Sequence, residues 1–279
     1  MDKKIFAYAA VILLSISYPN GALSNEGSAF WPGSPDATDG YLQKETARDL
    51  LSMAEKGNSK AQLKLGFMYE HGVDVAKNPS EAIKWYRMAA DQGEVDAQFN
   101  LGLAYYKGDI TAQNYSEAAA WFAKAAENGN EKAQLCLGLM YCSGKGVTKD
   151  YKEAASLFKK AATHGNSDAQ LSIGIMSYKG YGMQKDFNMS AEWFRKAADQ
   201  GNAKAQYRLG MLYSSGEGIA KSIKNAYIWI SLAAISSDGS LKKDSISMKK
   251  RLSKKLSSVQ LEAADKIIDN WTPKKSVNK

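Results

Sequence analysis

The feature that most constrains this chain of 279 residues is a strict internal repeat of 36 residues. Ala, Gln, Leu, Gly and Tyr follow each repeat's starting glycine at fixed offsets, and the fourth copy departs from this only with Ile173 for Leu and Ser177 for Tyr. A period of this length indicates a repeat protein, in which one small unit stacks on the next. The starting glycines are Gly57, Gly93, Gly129, Gly165 and Gly201.

Each unit is predicted to form two helices. The first helix ends at a second periodic glycine, because a left-handed C-terminal cap favours this residue; these are Gly72, Gly108, Gly144, Gly180 and Gly216. The second helix begins at a capping residue of the same period, namely Asn78, Asn114, Asp150, Asp186 or Ser222. Glu81, Glu117 and Glu153 lie three positions after such a residue, which is the spacing of a capping box.

The second helix of each unit carries large aromatic residues and a pair of alanines. In the first copy these are Trp85, Tyr86, Ala89 and Ala90. We expect glycines such as Gly66 to face alanines, so that two helices approach closely while the aromatic side chains fill the wider gaps. The pattern therefore predicts a packed core rather than a cofactor site.

These residues resemble the Sel-one-like repeats, which are relatives of the tetratricopeptide repeat. The resemblance rests on Ala-Gln, Leu-Gly and Tyr, a Gly-rich turn, then Ala, Trp-Tyr and Ala-Ala, and it covers about residues 41–236. It implies an all-α fold, a right-handed α/α superhelical solenoid of about five 36-residue helix-turn-helix repeats with helical caps. It also implies a scaffold for protein complexes, often exported in bacteria, with no catalytic residues.

The ends of the chain differ in character from the repeats. Residues 1–24 are predicted to be a signal peptide because the apolar run from Ile5 to Ile16 is shorter than the roughly 20 residues of a membrane span; an uncleaved anchor is the alternative. Cleavage near Ser24 would make the protein periplasmic or secreted. The other predicted segments are a linker over 25–40, an N-terminal capping helix over 41–56, the solenoid over 57–236, and C-terminal capping helices with a basic tail over 237–279.

The net charge of +8 is concentrated near the C-terminus, where residues 241–279 carry +7. A basic segment after a neutral body can meet nucleic acid or anionic lipid, and the alternative is that these are simply solvated helix faces. Export argues against nucleic acid as a partner. Membrane contact is expected only through an uncleaved signal segment.

The five copies allow equivalent positions to be compared, and they separate a fixed framework from a variable stripe. Offsets 3, 7 and 14 from the starting glycine fall within roughly 40° of one another on the first helix. We expect this stripe to line the concave face and bind an acidic protein surface or peptide, although it can also be a solvated surface without a partner. The predicted partner-binding residues are Lys60, Lys64, His71, Asp96, Asn100, Lys107, Lys132, Asp168, Ser172, Lys179, Lys204 and Arg208.

Candidate residues for chemistry are few. His71 and His164 are the only histidines, and they do not predict a metal site because several converging ligands are needed. Cys136 and Cys142 are expected to be thiols, since six residues along one helix place them too far apart for a disulfide. Ser-x-x-Lys occurs three times without the other elements of penicillin-binding enzymes. The sequence predicts no enzyme, no cofactor and no metal.

The leading hypothesis from the sequence is therefore an exported scaffold that binds another protein. One alternative is an immunity protein that neutralises a secreted toxic effector. A second alternative, from a different class, is a β-lactam-hydrolysing or penicillin-binding secreted enzyme. A third is a secreted factor that recognises host proteins.

Overall fold

The computed structural model describes residues 47–274, which form helices and connecting turns with no strand in that range. The predicted signal peptide and linker, the first six residues of the predicted N-terminal capping helix and the last five residues of the tail lie outside the described residues. The described chain divides at residues 130 and 131 into two compact units, and each is described by itself.

Unit 1 contains α1 and two helix pairs, and unit 2 contains three helix pairs followed by two further helices. The prediction of an all-α repeat fold built from about five 36-residue helix-turn-helix units is confirmed. The helices of unit 1 are α1 (Ala47–Glu55), α2 (Ser59–His71), α3 (Pro79–Asp91), α4 (Val95–Lys107) and α5 (Tyr115–Glu127). Those of unit 2 are α6 (Glu131–Ser143), α7 (Tyr151–Thr163), α8 (Ser167–Lys179), α9 (Phe187–Asp199), α10 (Ala203–Ser215), α11 (Ile223–Ser236), α12 (Gly239–Ser253) and α13 (Ser258–Asp269).

The second helix of every repeat begins at the predicted capping residue, whose side chain accepts a backbone N–H from the first turn. The predicted capping boxes are wrong in one of their two hydrogen bonds, the one from the backbone N–H of the capping residue to the glutamate side chain. The N–H of Asn78 donates to the carbonyl of Tyr69 at 2.9 Å, and the same bond recurs in the other four repeats. Because that N–H already donates to the first helix, it is not available to the carboxylate of Glu81 or its equivalents. The observed bond instead connects the second helix to the first.

The close helix contacts in each repeat are between a glycine and a large side chain, not between a glycine and an alanine as the sequence suggested. Gly102 faces the ring of Phe122 in α5, and Gly174 faces Phe194 in α9. A hypothetical Cβ at either glycine would lie 2.7 Å from the ring. The glycine therefore accommodates the aromatic ring itself, and the rings of Phe122 and Phe194 are almost fully buried as a result.

The repeated glutamine joins consecutive repeats, a role that the sequence pattern alone did not reveal. Gln98 is 4% exposed, and its Nε2 donates to the carbonyl of Ala90 at 3.2 Å. Gln170 makes the equivalent bond to Ala162 at 3.1 Å. A buried amide needs such partners, so this position tolerates little but glutamine.

The C-terminal helices α12 and α13 both pack on α11, with Leu252, Ala264 and Ile268 in their shared core. The capping box predicted at Ser257 and Gln260 is confirmed. After α13 the chain returns to the preceding repeat, where Lys274 donates to both the backbone carbonyl and the carboxylate of Asp199.

Candidate protein-binding surface

The predicted stripe lies mostly at the surface of the first helices. In unit 1, Lys60, Lys64 and Asp96 are exposed, and Asn100 and Lys107 are half-buried. In unit 2, the positions of the same stripe that lie open to solvent are Lys132, Lys179 and Arg208, while Lys204, Asp168 and Ser172 are half-buried. The framework residues at the neighbouring Ala, Gln, Leu and Gly positions are buried in all five repeats.

One position of the stripe departs from this arrangement. Cys136 is fully buried, although the equivalent residues Lys64 and Arg208 are exposed. An apolar thiol at this offset can join the packing, whereas a charged side chain there must reach solvent. The stripe of unit 2 is therefore interrupted in the middle of α6.

Two acidic residues of the stripe hold neighbouring repeats together. Asp168 accepts a hydrogen bond from Asn202 Nδ2 at 2.9 Å, and Asp96 accepts one from Asn130 Nδ2 at 3.5 Å. Asn202 also caps α10, because its Oδ1 accepts the N–H of Ala205. Asp168 is thus committed to the junction between α8 and α10, which limits its use in binding a partner.

Ser172 and His71 make local contacts within their own helices. The Ser172 hydroxyl donates to the carbonyl of Asp168 at 2.7 Å, one turn earlier in α8. The ring of His71 stacks on Phe67 with 4.2 Å between centroids, and its Nδ1 lies 3.0 Å from the Phe67 carbonyl oxygen. These contacts fix both side chains at the surface without removing them from solvent.

In unit 2 the structure brings together residues that the sequence comparison did not connect. The Tyr178 hydroxyl donates to Glu217 at 2.9 Å, and Lys179 lies 5.4 Å from the Tyr178 ring. Burial, the bond to Glu217 and the charge of that carboxylate raise the pKa of the Tyr178 phenol, and the charge of Arg208 opposes them. Arg208 therefore acts electrostatically on the Tyr178 hydroxyl, which is itself bonded to Glu217. Tyr178 escaped the sequence comparison because it sits one position after the periodic tyrosine.

The described residues contain no group of three or more His, Cys, Asp or Glu that could hold a metal ion. Both cysteines are thiols, as expected, and burial raises the pKa of Cys142 to about 12 against a small opposing effect of Lys149. A thiol with this pKa is a poor nucleophile at neutral pH. The Ser-x-x-Lys sequences all lie on exposed faces of α7 and α12, at Ser156 and Lys159, Ser240 and Lys243, and Ser247 and Lys250.

Within residues 47–274, no helix combines the length and the apolar character required to cross a membrane. The helix pairs and their buried framework define a helical repeat protein of the scaffold type. The sequence matches the Sel1 repeat family over residues 59–94, 95–130, 132–166, 167–202 and 203–238. Because these matches cover more than half of the chain, the protein belongs to the Sel1 repeat family. Members of this family commonly mediate protein interactions and are generally not enzymes.

Solved structures agree with this assignment. The crystal structure of c5321, a protective antigen present in uropathogenic Escherichia coli strains, has a TM-score of 0.68 and 31% identity, and the match covers 82% of this chain and 54% of that one. The chain thus spans about half the length of c5321. A Sel1 repeat protein from Oxalobacter formigenes has a TM-score of 0.66 and 34% identity, with 71% of this chain and 84% of that chain covered.

More distant structures include the immunity protein Pa5087 from Pseudomonas aeruginosa. It has a TM-score of 0.43 and 20% identity, and the match covers 68% of this chain and 73% of that one. At this level the similarity has no bearing on the function of the present chain. A comparison with curated protein sequences found no match.

Proposed function

We propose that this protein is an exported, non-enzymatic bacterial scaffold that binds another protein through the stripe on its first helices. The observation that carries the proposal is the contrast between equivalent positions of the repeat. Framework positions are buried and nearly invariant from copy to copy, whereas the stripe holds Lys, Asp, Asn, Cys, Ser and Arg, mostly at the surface. Stacked repeats vary in this way when one face carries the binding specificity.

The charge of the stripe supports an acidic partner. In unit 1 it has three lysines and one aspartate, and in unit 2 it has four basic residues and one aspartate. Both aspartates accept hydrogen bonds from asparagines of the next repeat, so part of their accepting capacity is already used within the protein. Complementary charge accelerates encounter and disfavours basic partners.

Export is supported by the composition of the first 24 residues. Two lysines precede the apolar run from Ile5 to Ile16, and small residues follow it. This order of segments is typical of a secretory signal peptide. Sequencing of the mature N-terminus, purified from the periplasm or the medium, is expected to start near Asn25. A mature protein that begins at Met1 and stays with the cytoplasm would contradict export.

The binding function is tested by affinity capture from envelope extract and culture supernatant with five forms of the full chain. They are the wild type, a stripe variant in each unit (K60E/K64E and K204E/R208E) and a control variant in each unit with the same charge change elsewhere (K56E/K77E and K152E/K159E). The four control lysines are exposed and lie off the stripe. We expect the stripe variants to lose a stoichiometric protein partner and the controls to retain it.

Titration with the purified partner then measures how much affinity each variant loses. Two reversed charges at a binding face are expected to weaken the affinity tenfold or more, mainly at low salt. Equal binding by stripe and control variants would contradict the assignment of the surface.

A partner that proves to be a single toxin, bound one to one, would identify an immunity protein. Turnover of a chromogenic β-lactam by the purified wild type would contradict the non-enzymatic assignment.

A further inference from the structure

Helix α12 presents a basic face to solvent on the side opposite its core contacts. At 100° per residue, three lysines of α12 and the residue that caps its C-terminus fall within about 120° of the helix circumference; they are Lys242, Lys243, Lys250 and Lys254. All four are exposed, whereas Leu252 and Ser245 on the opposite side are buried. We call these four lysines, together with Ile246 among them, the basic face.

The lysines of the basic face are not engaged in ion pairs with the described residues. The only acidic residue within α12 is Asp244, which lies beyond the edge of this arc. Lys249 of the same helix lies against the Tyr227 ring and does not belong to the face. The basic face is thus a concentrated positive surface that an anionic partner would complement.

Ile246 distinguishes between the kinds of anionic partner. It is 52% exposed and lies one helical turn from both Lys242 and Lys250. A soluble polyanion does not require an apolar side chain at the centre of its contact surface. A helix lying on a bilayer does, because apolar side chains enter the acyl boundary while lysine ammonium groups remain among the headgroups. In the same C-terminal part of unit 2, α13 exposes Val259 by 74% and Ile267 by 45%.

We propose that the basic face of α12 binds the surface of a bilayer that contains anionic phospholipid. The four lysines contact lipid phosphates, and Ile246 enters the interface between them. This membrane contact goes beyond the one expected from the sequence, which was limited to the signal segment. It uses residues outside the first-helix stripe, so a protein partner and a membrane surface can be bound by different parts of the chain.

The test is sedimentation of the mature chain with vesicles of phosphatidylglycerol and phosphatidylcholine, and with phosphatidylcholine alone. The charge variant is K242Q/K243Q/K250Q/K254Q, and its control removes four other exposed lysines of unit 2 (K152Q/K159Q/K160Q/K221Q). A lysine close to an anionic surface strengthens binding about fivefold, so the charge variant is expected to lose a factor on the order of several hundred. The control is expected to lose far less. All forms are the mature chain that begins near Asn25, so the apolar run from Ile5 to Ile16 does not contribute to vesicle binding.

The second variant, Ile246→Ser, tests the bilayer against a soluble polyanion. We expect it to weaken binding to anionic vesicles roughly tenfold and to leave binding to soluble poly-glutamate unchanged. Equal vesicle binding by the charge variant and its control would overturn the proposal, as would wild-type binding to neutral vesicles as strong as to anionic ones. Unchanged vesicle binding by Ile246→Ser would also overturn it, because the contact would then be purely electrostatic. Circular dichroism verifies that each variant is folded.

Discussion

Gly102 of α4 lies directly against the ring of Phe122 of α5, so closely that a Cβ at the glycine would be 2.7 Å from the ring carbon Cδ1. Phe122 is fully buried, and its ring cannot retreat without opening the core of unit 1. The same relationship joins Gly174 to Phe194 in unit 2. The glycine is therefore required by packing, since its helical backbone conformation would accept any residue.

The first prediction follows from this contact. Gly102→Ala should destabilise the protein by about 2 kcal/mol, because overpacking outweighs the gain in helix propensity. Urea denaturation measures this loss as a decrease in the free energy of unfolding. In the double variant with Phe122→Leu, the smaller side chain leaves room for the new methyl group, so the cost of the alanine should shrink. Additive effects would show that the ring does not cause the loss.

A second prediction concerns the buried glutamine between repeats. Gln170 donates to the carbonyl of Ala162 and accepts a hydrogen bond from Gln200 Nε2 at 2.8 Å. Gln170→Leu removes both hydrogen bonds, although Ala162 and Gln200 keep their other partners, and at about 0.5–1.5 kcal/mol per bond it should cost about 1–3 kcal/mol of stability. The exposed Gln184 provides the control, where the same substitution should change the melting temperature very little. Equal effects at both positions would argue against the hydrogen bonds.

The third prediction concerns the turn after α2. Asp74 has a φ of 55°, and the positions that follow at multiples of the repeat in unit 2, Gly146, Gly182 and Gly218, have φ of 68°, 67° and 71°. Asp74→Gly should therefore stabilise the protein by about 0.5–1 kcal/mol, because glycine occupies this region without strain. Asp109→Gly is the matched control, since Asp109 is exposed in the next turn with no positive φ, and it should be neutral or slightly destabilising.

The fourth prediction concerns Cys142 and pH. Burial raises the pKa of its thiol to about 12 from an ordinary value of 9.0. The unfolded chain releases this proton first as the pH rises, so stability from this group is complete below about pH 9 and declines toward pH 12. Cys142→Ser should flatten this decline in urea titrations at increasing pH. Iodoacetamide near pH 8.5 should alkylate Cys142 slowly in the folded protein and rapidly in urea, and rapid labelling of the folded form would contradict the prediction.

Much of the fold could be read from the repeat. The helix pairs, the capping residues from Asn78 to Ser222 and the capping box at Ser257 are local features, set by side chains within one helical turn of the backbone groups that they satisfy. The reciprocal half of the boxes at Glu81, Glu117 and Glu153 failed for a non-local reason. The N–H that each glutamate would cap is taken by a carbonyl of the preceding helix.

The candidate surface was predictable in outline but not residue by residue. The offsets identified which helix side faces solvent, because helical periodicity assigns a direction to each position. They did not predict that Cys136 is buried, that Asp168 holds the next repeat through Asn202, or that the Tyr178 hydroxyl donates to Glu217. Each of these depends on a neighbouring helix whose distance the sequence does not specify.

The sequence by itself determined the repeat, the helix pairs, their caps and the identity of the packed face, because these follow from local hydrogen bonding and from a period that recurs five times. Only the tertiary structure decided that Gly102 accommodates Phe122, that the buried glutamines link repeats, and that the lysines of α12 point away from the core around Ile246. The physical reason is that these contacts join helices that are separated along the sequence. Their geometry is fixed only when side chains from the separate helices pack into the same volume.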